Sequence, residues 1–131
     1  MRTLNRINAT VLLILCATTM KGQPSYDNLK KMWELVKVEP LAVGMGGLGE
    51  EMKRLDLRHD TQLVLEGGGK SDTISYKVVD QEIKLYDKDG NALEQDIIWK
   101  IERITREELD LLFLEREDKQ ELVRLRYRTK G

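Results

Sequence analysis

The sequence predicts an all-β fold, an eight-stranded antiparallel up-and-down barrel with a short N-terminal helix. Three observations support this prediction. Apolar side chains recur at every second position in segment after segment, which is typical of strands with one buried face. Most of these segments are joined by links of two to five residues, which favour antiparallel neighbours. No long helical period separates them, so a parallel α/β architecture is not expected.

Composition and charge exclude several classes of function. Basic residues number 22 and acidic residues 23, so the chain lacks the basic excess that is expected of a nucleic-acid-binding protein. One cysteine, Cys16, and one histidine, His59, cannot build a Cys/His zinc cage or a disulfide framework. The sequence therefore predicts no metal, no cofactor and no nucleic-acid partner.

The first 22 residues have the layout of a secretory signal peptide. Arg2 and Arg6 precede a twelve-residue apolar stretch, Ala9–Met20, and a polar segment follows it. Twelve residues are too few to cross a bilayer, which takes about 20. We expect residues 1–22 to be a leader, residues 23–131 to form one domain, and the protein to be periplasmic or extracellular, with no membrane-spanning segment.

Cys16 raises lipoprotein anchoring as an alternative. That processing requires a small residue immediately before the cysteine, and this chain has Leu15 there. We therefore interpret Cys16 as one more apolar residue of the leader. Without the leader, 19 basic residues stand against 23 acidic ones, so the exported chain is mildly acidic.

The mature chain begins with one segment of helical character. Ser25 is a suitable N-cap after Pro24, so a helix of about two turns is predicted over Ser25–Lys31. Alternation then predicts the strands, in order, at Met32–Glu39, Met52–Arg58, Thr61–Glu66, Thr73–Val79, Glu82–Tyr86, Asp96–Arg103, Leu109–Glu115 and Glu121–Arg128.

The connections are predicted from their turn residues. Gly67–Gly69 supplies positive φ at no steric cost, and Asp80-Gln81 and Asp87–Asn91 are short polar links. Asp87–Gly90 lacks the further acidic ligands of a calcium loop, so we interpret it as a hairpin turn. A meander of eight strands avoids exposed edges only if the last strand pairs with the first. A two-sheet sandwich is the alternative closure.

The order and spacing of several short blocks resemble the lipocalin-like domains, of calycin type, that diderm bacteria export. The resemblance covers Leu29 to Tyr127. The blocks that carry it are Met32–Glu39 with Trp33, Leu63–Leu65, Tyr76–Val78, Ile83–Asp87, Trp99–Ile101 and Ile104–Leu111. It implies an eight-stranded barrel that carries a small apolar ligand, and an arginine of the last strand, Arg126 or Arg128, stacked on Trp33.

The predicted ligand site is the interior of this barrel. Trp99 and Phe113 would form apolar walls, and Tyr76 and Tyr127 would offer hydroxyl groups. The glycine-rich segment 40–50 carries Leu41, Val43, Met45 and Leu48, of which Met45 and Leu48 are assigned to the ligand site. We expect this segment to act as a lid over the mouth, the alternatives being a permanent plug or a partner-binding loop. The other reading of the interior is that the inward side chains simply fill it.

No nucleophile or acid–base pair can be assembled, and His59-Asp60 is interpreted as a solvent-facing turn, so we expect a protein that is not an enzyme. The leading hypothesis is an exported domain that binds a small apolar ligand. The alternative is a structural or interaction module of the cell envelope, with an envelope protein or a second copy as partner. Leu112 and Leu114, on the outer face of their strand, would contact the N-terminal helix through Leu29 or a second copy. An open interior above about 300 Å³ would favour the ligand hypothesis.

Overall fold

A computed structural model describes residues 26–129, and the predicted leader, with Cys16, lies outside them. The described chain has a 3₁₀ turn at Tyr26–Leu29 and a short helix, α1, at Leu48–Glu51. Its strands are β1 (Met32–Pro40), β2 (Arg54–Asp56), β3 (Gln62–Gly67), β4 (Lys70–Val79), β5 (Glu82–Tyr86), β6 (Ile97–Ile104), β7 (Glu108–Glu115) and β8 (Glu121–Thr129).

The strands form a closed barrel in which each one is antiparallel to its neighbours in chain order. β8 returns to β1 and closes the sheet, with Trp33 opposite Thr129 and Val38 opposite Leu125. The predicted all-β class and up-and-down order are therefore confirmed, and the sandwich alternative is wrong. Closure removes the two free edges that an eight-stranded meander would otherwise expose.

Two of the predicted turns use left-handed backbone. Gly68 and Gly69 have φ of 59° and 79°, and Asp80 and Gln81 have φ of 51° and 68°. Positive φ at both central residues is the type I′ geometry, whose twist matches that of the flanking strands. Each turn therefore joins its two strands directly, with Gly67 opposite Lys70 and Val79 opposite Glu82.

The predicted N-terminal helix is not formed in the described residues, where only the single 3₁₀ turn precedes β1. The backbone N–H of Lys31 donates to the carbonyl of Leu29 at 2.8 Å, and the chain is extended from Met32 onward. The Leu29 side chain is buried in the core, and the indole N–H of Trp33 donates to the Leu29 carbonyl at 2.9 Å. Burial of Leu29 thus ends the turn before a second helical turn can form.

The cation over the Trp33 ring differs from the one that the resemblance implies. Lys31 Nζ lies 5.9 Å from the ring centroid, whereas the Arg126 guanidinium is paired with Asp110. The expectation of an arginine stacked on Trp33 is therefore wrong for Arg126. The lysine reaches the ring because it stands two residues before Trp33, immediately ahead of β1.

Strand lengths also depart from prediction at β2 and β4. β2 is only three residues long, whereas Met52–Arg58 is predicted, although the Leu57 N–H still donates to the Lys31 carbonyl at 2.9 Å in the register of the β1–β2 pair. β4 begins at Lys70 rather than Thr73, because the tight Gly68-Gly69 turn brings Lys70 directly opposite Gly67. The polar residues Lys70–Thr73 thus extend a strand whose apolar alternation starts later.

The seam between β5 and β6 is the least regular part of the wall. One residue pair, Glu82 and Lys100, joins these strands in the ladder. The connecting segment 87–96 folds back along β5, where the Leu93 N–H donates to the Leu85 carbonyl and the Gln95 side-chain oxygen accepts from the Leu85 N–H. The Gln95 side-chain oxygen thus accepts the hydrogen bond that a backbone carbonyl of a neighbouring strand would otherwise accept.

None of the helices within residues 26–129 has the length and apolar character that crossing a bilayer requires.

Candidate functional site

The barrel interior is filled around its middle. A side chain with no accessible surface adjoins no space large enough for a water molecule. Within residues 26–129, ten apolar or aromatic residues have an exposed fraction of 0%, and they come from six of the eight strands and the residues beside them. These residues are Trp33, Leu55, Leu57, Leu63, Ile83, Leu109, Leu111, Val123, Leu125 and Tyr127. The middle of the barrel is therefore a packed core.

The glycine-rich segment closes one end of the barrel. We call residues 41–53 the plug segment. Its start is held by the N–H groups of Leu41 and Ala42, which donate to the Leu122 carbonyl at 2.9 and 3.1 Å. Its end is held by the buried Tyr127 hydroxyl, which donates to the Met52 carbonyl at 2.8 Å. Both ends of the segment are thus fixed to the last strand, which supports the plug alternative.

Helix α1 of the plug segment packs closely on β1 and β3 through two glycines. A Cβ at Gly49 would lie 2.6 Å from Val38 Cγ2, and a Cβ at Gly67 would overlap the Glu50 carbonyl oxygen. A side chain at either position would push the helix out of the barrel end. Between these anchors the tip of the segment is open, with Val43 fully exposed.

The structure places the six predicted ligand-site residues in three groups. Trp99 and Phe113 lie directly opposite each other on β6 and β7, with ring centroids 5.3 Å apart. Met45 and Leu48 belong to the plug segment and are half-buried against the core. Tyr127 is fully buried beneath the same segment, whereas Tyr76 lines a cleft beside β4. The six residues therefore do not form one site.

This cleft, which we call the β4 cleft, has a volume of about 570 Å³. It lies alongside β4, between the residues that precede β1, the corner before β3 and the turn after β5. Its lining consists of Leu29, Lys30, Asp60, Thr61, Ser75, Tyr76, Lys77, Val78, Val79, Tyr86, Asp87, Lys88 and Gly90. A volume of about 300–1,000 Å³ with apolar walls and a few polar groups is typical of a small-molecule site.

An ion pair stands at one side of the β4 cleft. Lys30 Nζ donates to Asp60 Oδ1 at 2.6 Å. This hydrogen bond raises the pKa of Lys30 and lowers that of Asp60, so both groups stay charged near neutral pH. Burial raises the pKa of the neighbouring Tyr76 hydroxyl, which therefore stays protonated and can donate a hydrogen bond.

Aromatic and basic groups form the opposite side. Lys77 Nζ lies 5.1 Å from the centroid of the Tyr86 ring, a cation–π distance. Lys77 and Lys88 are exposed, whereas Tyr86 is half-buried. The β4 cleft therefore combines apolar side chains of β4, two tyrosines and a charged rim.

Two arginines of β8, Arg124 and Arg126, take part in ion pairs on the outer wall. Arg124 bonds to Glu39 of β1 at 2.6 Å and also to Glu102 of β6. The hydrogen bond from Arg124 lowers the pKa of Glu39. Arg126 makes two hydrogen bonds, of 2.9 and 3.3 Å, to the buried carboxylate of Asp110. The Arg124–Glu39 contact spans the β8–β1 closure and the others join β8 to β6 and β7, which indicates a structural role for these two arginines.

Leu112 occupies an outward position on β7 but is only 3% exposed. It is not part of the core cluster, which contains Leu29. The predicted contact between Leu29 and the outer face of this strand is therefore wrong. Alternation places Leu112 opposite Lys100 and Arg124, whose long side chains can cover it.

The sequence signalled only part of the β4 cleft. Tyr76 was identified because it lies in the apolar phase of its strand. Leu29, Lys30, Thr61 and Tyr86 are not predicted, because they come from the 3₁₀ turn, two connections and the end of β5, which only the closed barrel brings together. One feature of the pattern could indicate the cleft. The β4–β5 hairpin extends beyond the end of the β3–β4 pairing, which leaves space beside Val78.

Comparisons with models of protein families, with curated proteins and with solved structures return no match. The fold and the β4 cleft therefore carry the functional argument alone.

Proposed function

We propose that this protein is an exported, lipocalin-like domain without enzymatic activity, and that it binds a small apolar molecule in the β4 cleft. The observation that supports this proposal is the volume of the cleft, about 570 Å³, together with its apolar walls. The middle of the barrel is packed and offers no space for a ligand, so the proposal depends on the β4 cleft.

The chemistry of the cleft favours an elongated amphipathic ligand. Val78 and the Tyr86 ring provide apolar surface, and the Tyr76 hydroxyl can donate one hydrogen bond. The exposed lysines at the rim would remain in water beside the polar end of the ligand. A saturated twelve-carbon chain that ends in a carboxylate or a hydroxyl is a suitable probe of this arrangement.

The competing function is an interaction module with a filled barrel. The packed core and the fully exposed Val43 at the tip of the plug segment favour it. The two functions differ in the role of the β4 cleft, because an interaction module does not need the cleft to accept a ligand.

Calorimetric titration of the mature chain with laurate and with dodecanol tests the proposal. Ser75→Trp would place a large side chain in the β4 cleft, and Val36→Trp is the matched control on an exposed outer position of β1. We expect one molecule to bind to the natural chain and to the control, with affinity at least about tenfold lower in Ser75→Trp. Failure of both probes to bind the natural chain, or equal binding by Ser75→Trp, would contradict the proposal.

A further inference from the structure

One half of strand β4 has an unpaired edge. β4 has ten residues and β5 only five, and the β4–β5 ladder covers Ser75–Val79 alone. Residues 70–74 of β4 pair with β3 on one side, and no segment of the described chain pairs with them on the other. Residues Lys70–Thr73 are all exposed. The closed barrel therefore keeps a short stretch of open sheet edge.

The direction of the backbone groups on this edge follows from alternation. In an antiparallel ladder, successive residues direct their N–H and C=O groups to opposite sides. The Tyr76 N–H donates to the Thr61 carbonyl, on the β3 side. Every second residue before Tyr76 has the same orientation, so the backbone groups of Asp72 and Lys70 also point to β3. The backbone groups of Ser71 and Thr73 therefore point to the open edge. These are the groups that an added strand would use.

We propose that a second copy of this chain pairs through the same edge, antiparallel, with the two-fold axis at Ser71. In this register each Ser71 exchanges both backbone hydrogen bonds with its counterpart. Lys70 of each copy then lies directly opposite Asp72 of the other, which gives two cross-strand ion pairs. An isologous strand pair of this kind is self-complementary, as a two-fold dimer requires.

The charges on the open edge favour a second copy as the partner and also set the register of the two strands. A lysine on an open edge normally discourages strand addition. Here the second copy supplies Asp72 as its partner, which an arbitrary strand would not do. A two-fold axis at Thr73 would place Asp72 opposite Ile74, so that neither Asp72 nor Lys70 would have an opposite charge across the edge. Because the shared edge is short and its ion pairs are exposed, the dimer is expected to be weak and sensitive to salt.

Charge reversal tests the register. Lys70→Asp sets two carboxylates against each other in both cross-strand pairs, and Asp72→Lys likewise sets two lysines against each other in both. We expect each single variant to weaken dimerisation at least about tenfold in sedimentation velocity at low salt. The double variant Lys70→Asp/Asp72→Lys restores the pairs and the dimer. An equimolar mixture of the two single variants forms a heterodimer, because each supplies the charges that the other needs.

The controls separate charge from fold and from the ligand proposal. Glu94→Lys reverses an exposed charge away from this edge and should leave the dimer unchanged. Unfolding midpoints should be equal for all variants, because the altered side chains are exposed. A natural chain that remains monomeric over the whole concentration series overturns the inference. So do single variants that dimerise like the natural chain, and a mixture without heterodimer. None of these results depends on ligand binding in the β4 cleft.

Discussion

The Tyr127 hydroxyl donates a 2.8 Å hydrogen bond to the carbonyl of Met52, 75 residues earlier in the chain. Both residues are buried, so no water replaces this bond if it is lost. The contact joins β8, the strand that closes the barrel, to the end of the plug segment. It therefore couples closure of the wall to closure of the barrel end.

Tyr127→Phe should destabilise the protein by about 1–3 kcal/mol, because it leaves the buried Met52 carbonyl without a donor. Urea unfolding measures this difference through the transition midpoint. Tyr86→Phe is the matched control, because Tyr86 is half-buried at the β4 cleft and a change of its hydroxyl should be nearly neutral. Equal stability of Tyr127→Phe and the natural chain would show that the bond contributes nothing.

Stability should fall at high pH through the same residue. Burial raises the pKa of Tyr127 well above its ordinary value of 10.0, so the native state keeps the proton while the unfolded chain releases it. The contribution of Tyr127 to the free energy of unfolding is complete below pH 10 and is lost as the pH rises above that value. Unfolding midpoints of the natural chain and Tyr127→Phe should therefore converge between about pH 10 and pH 11. A difference that stays constant over this range would contradict the assignment.

The pair Arg126–Asp110 holds a buried charge on the outer wall. Asp110 is 4% exposed, and Arg126 supplies both of its side-chain hydrogen bonds. Arg126→Ala should lower the midpoint of urea unfolding, by less than the loss of a fully buried pair would, because the arginine itself is partly exposed. Arg128→Ala, at an exposed position on the same strand, should be nearly neutral. Removing Asp110 as well, in Asp110→Ala/Arg126→Ala, should recover part of the loss.

The close contacts at Gly49 and Gly67 predict that a side chain at either position destabilises the packing of the plug segment. Gly67→Ala places a Cβ against the backbone of Glu50 and Glu51, which cannot move without displacing α1, so we expect a loss of about 1–3 kcal/mol. Gly47→Ala is the control, because among the described residues nothing but its chain neighbours comes within 4 Å of the added Cβ. Equal unfolding midpoints for both variants would show that α1 is not held in place by β3.

Alternation of apolar residues was enough to predict the eight strands. The short links predicted their antiparallel order, and the β8–β1 closure followed from the need to pair the free edges, with a sandwich as the alternative. It failed where long-range contacts override the local pattern. Leu29 ends the N-terminal turn because the core accepts its side chain. Lys70 joins β4 because of the neighbouring turn rather than its own polarity.

The candidate site was less accessible to sequence reasoning. A phase argument identifies which side chains face inward, but not whether they leave space between them. Leu63, Leu111 and Leu125 are such inward side chains, and they pack without a gap. The β4 cleft depends on where the corner at Thr61 and the turn after Tyr86 lie in three dimensions. Neither position follows from local spacing.

We propose that the interior of the barrel is fully packed and that a ligand binds beside β4. The most direct measurement is methyl NMR of the natural chain, labelled at leucine and valine methyl groups and titrated with laurate. We expect shift changes at Leu29, Val78 and Val79, which line the cleft, and none at Leu63, Leu111 or Leu125. Shift changes centred on those three interior leucines would contradict the claim.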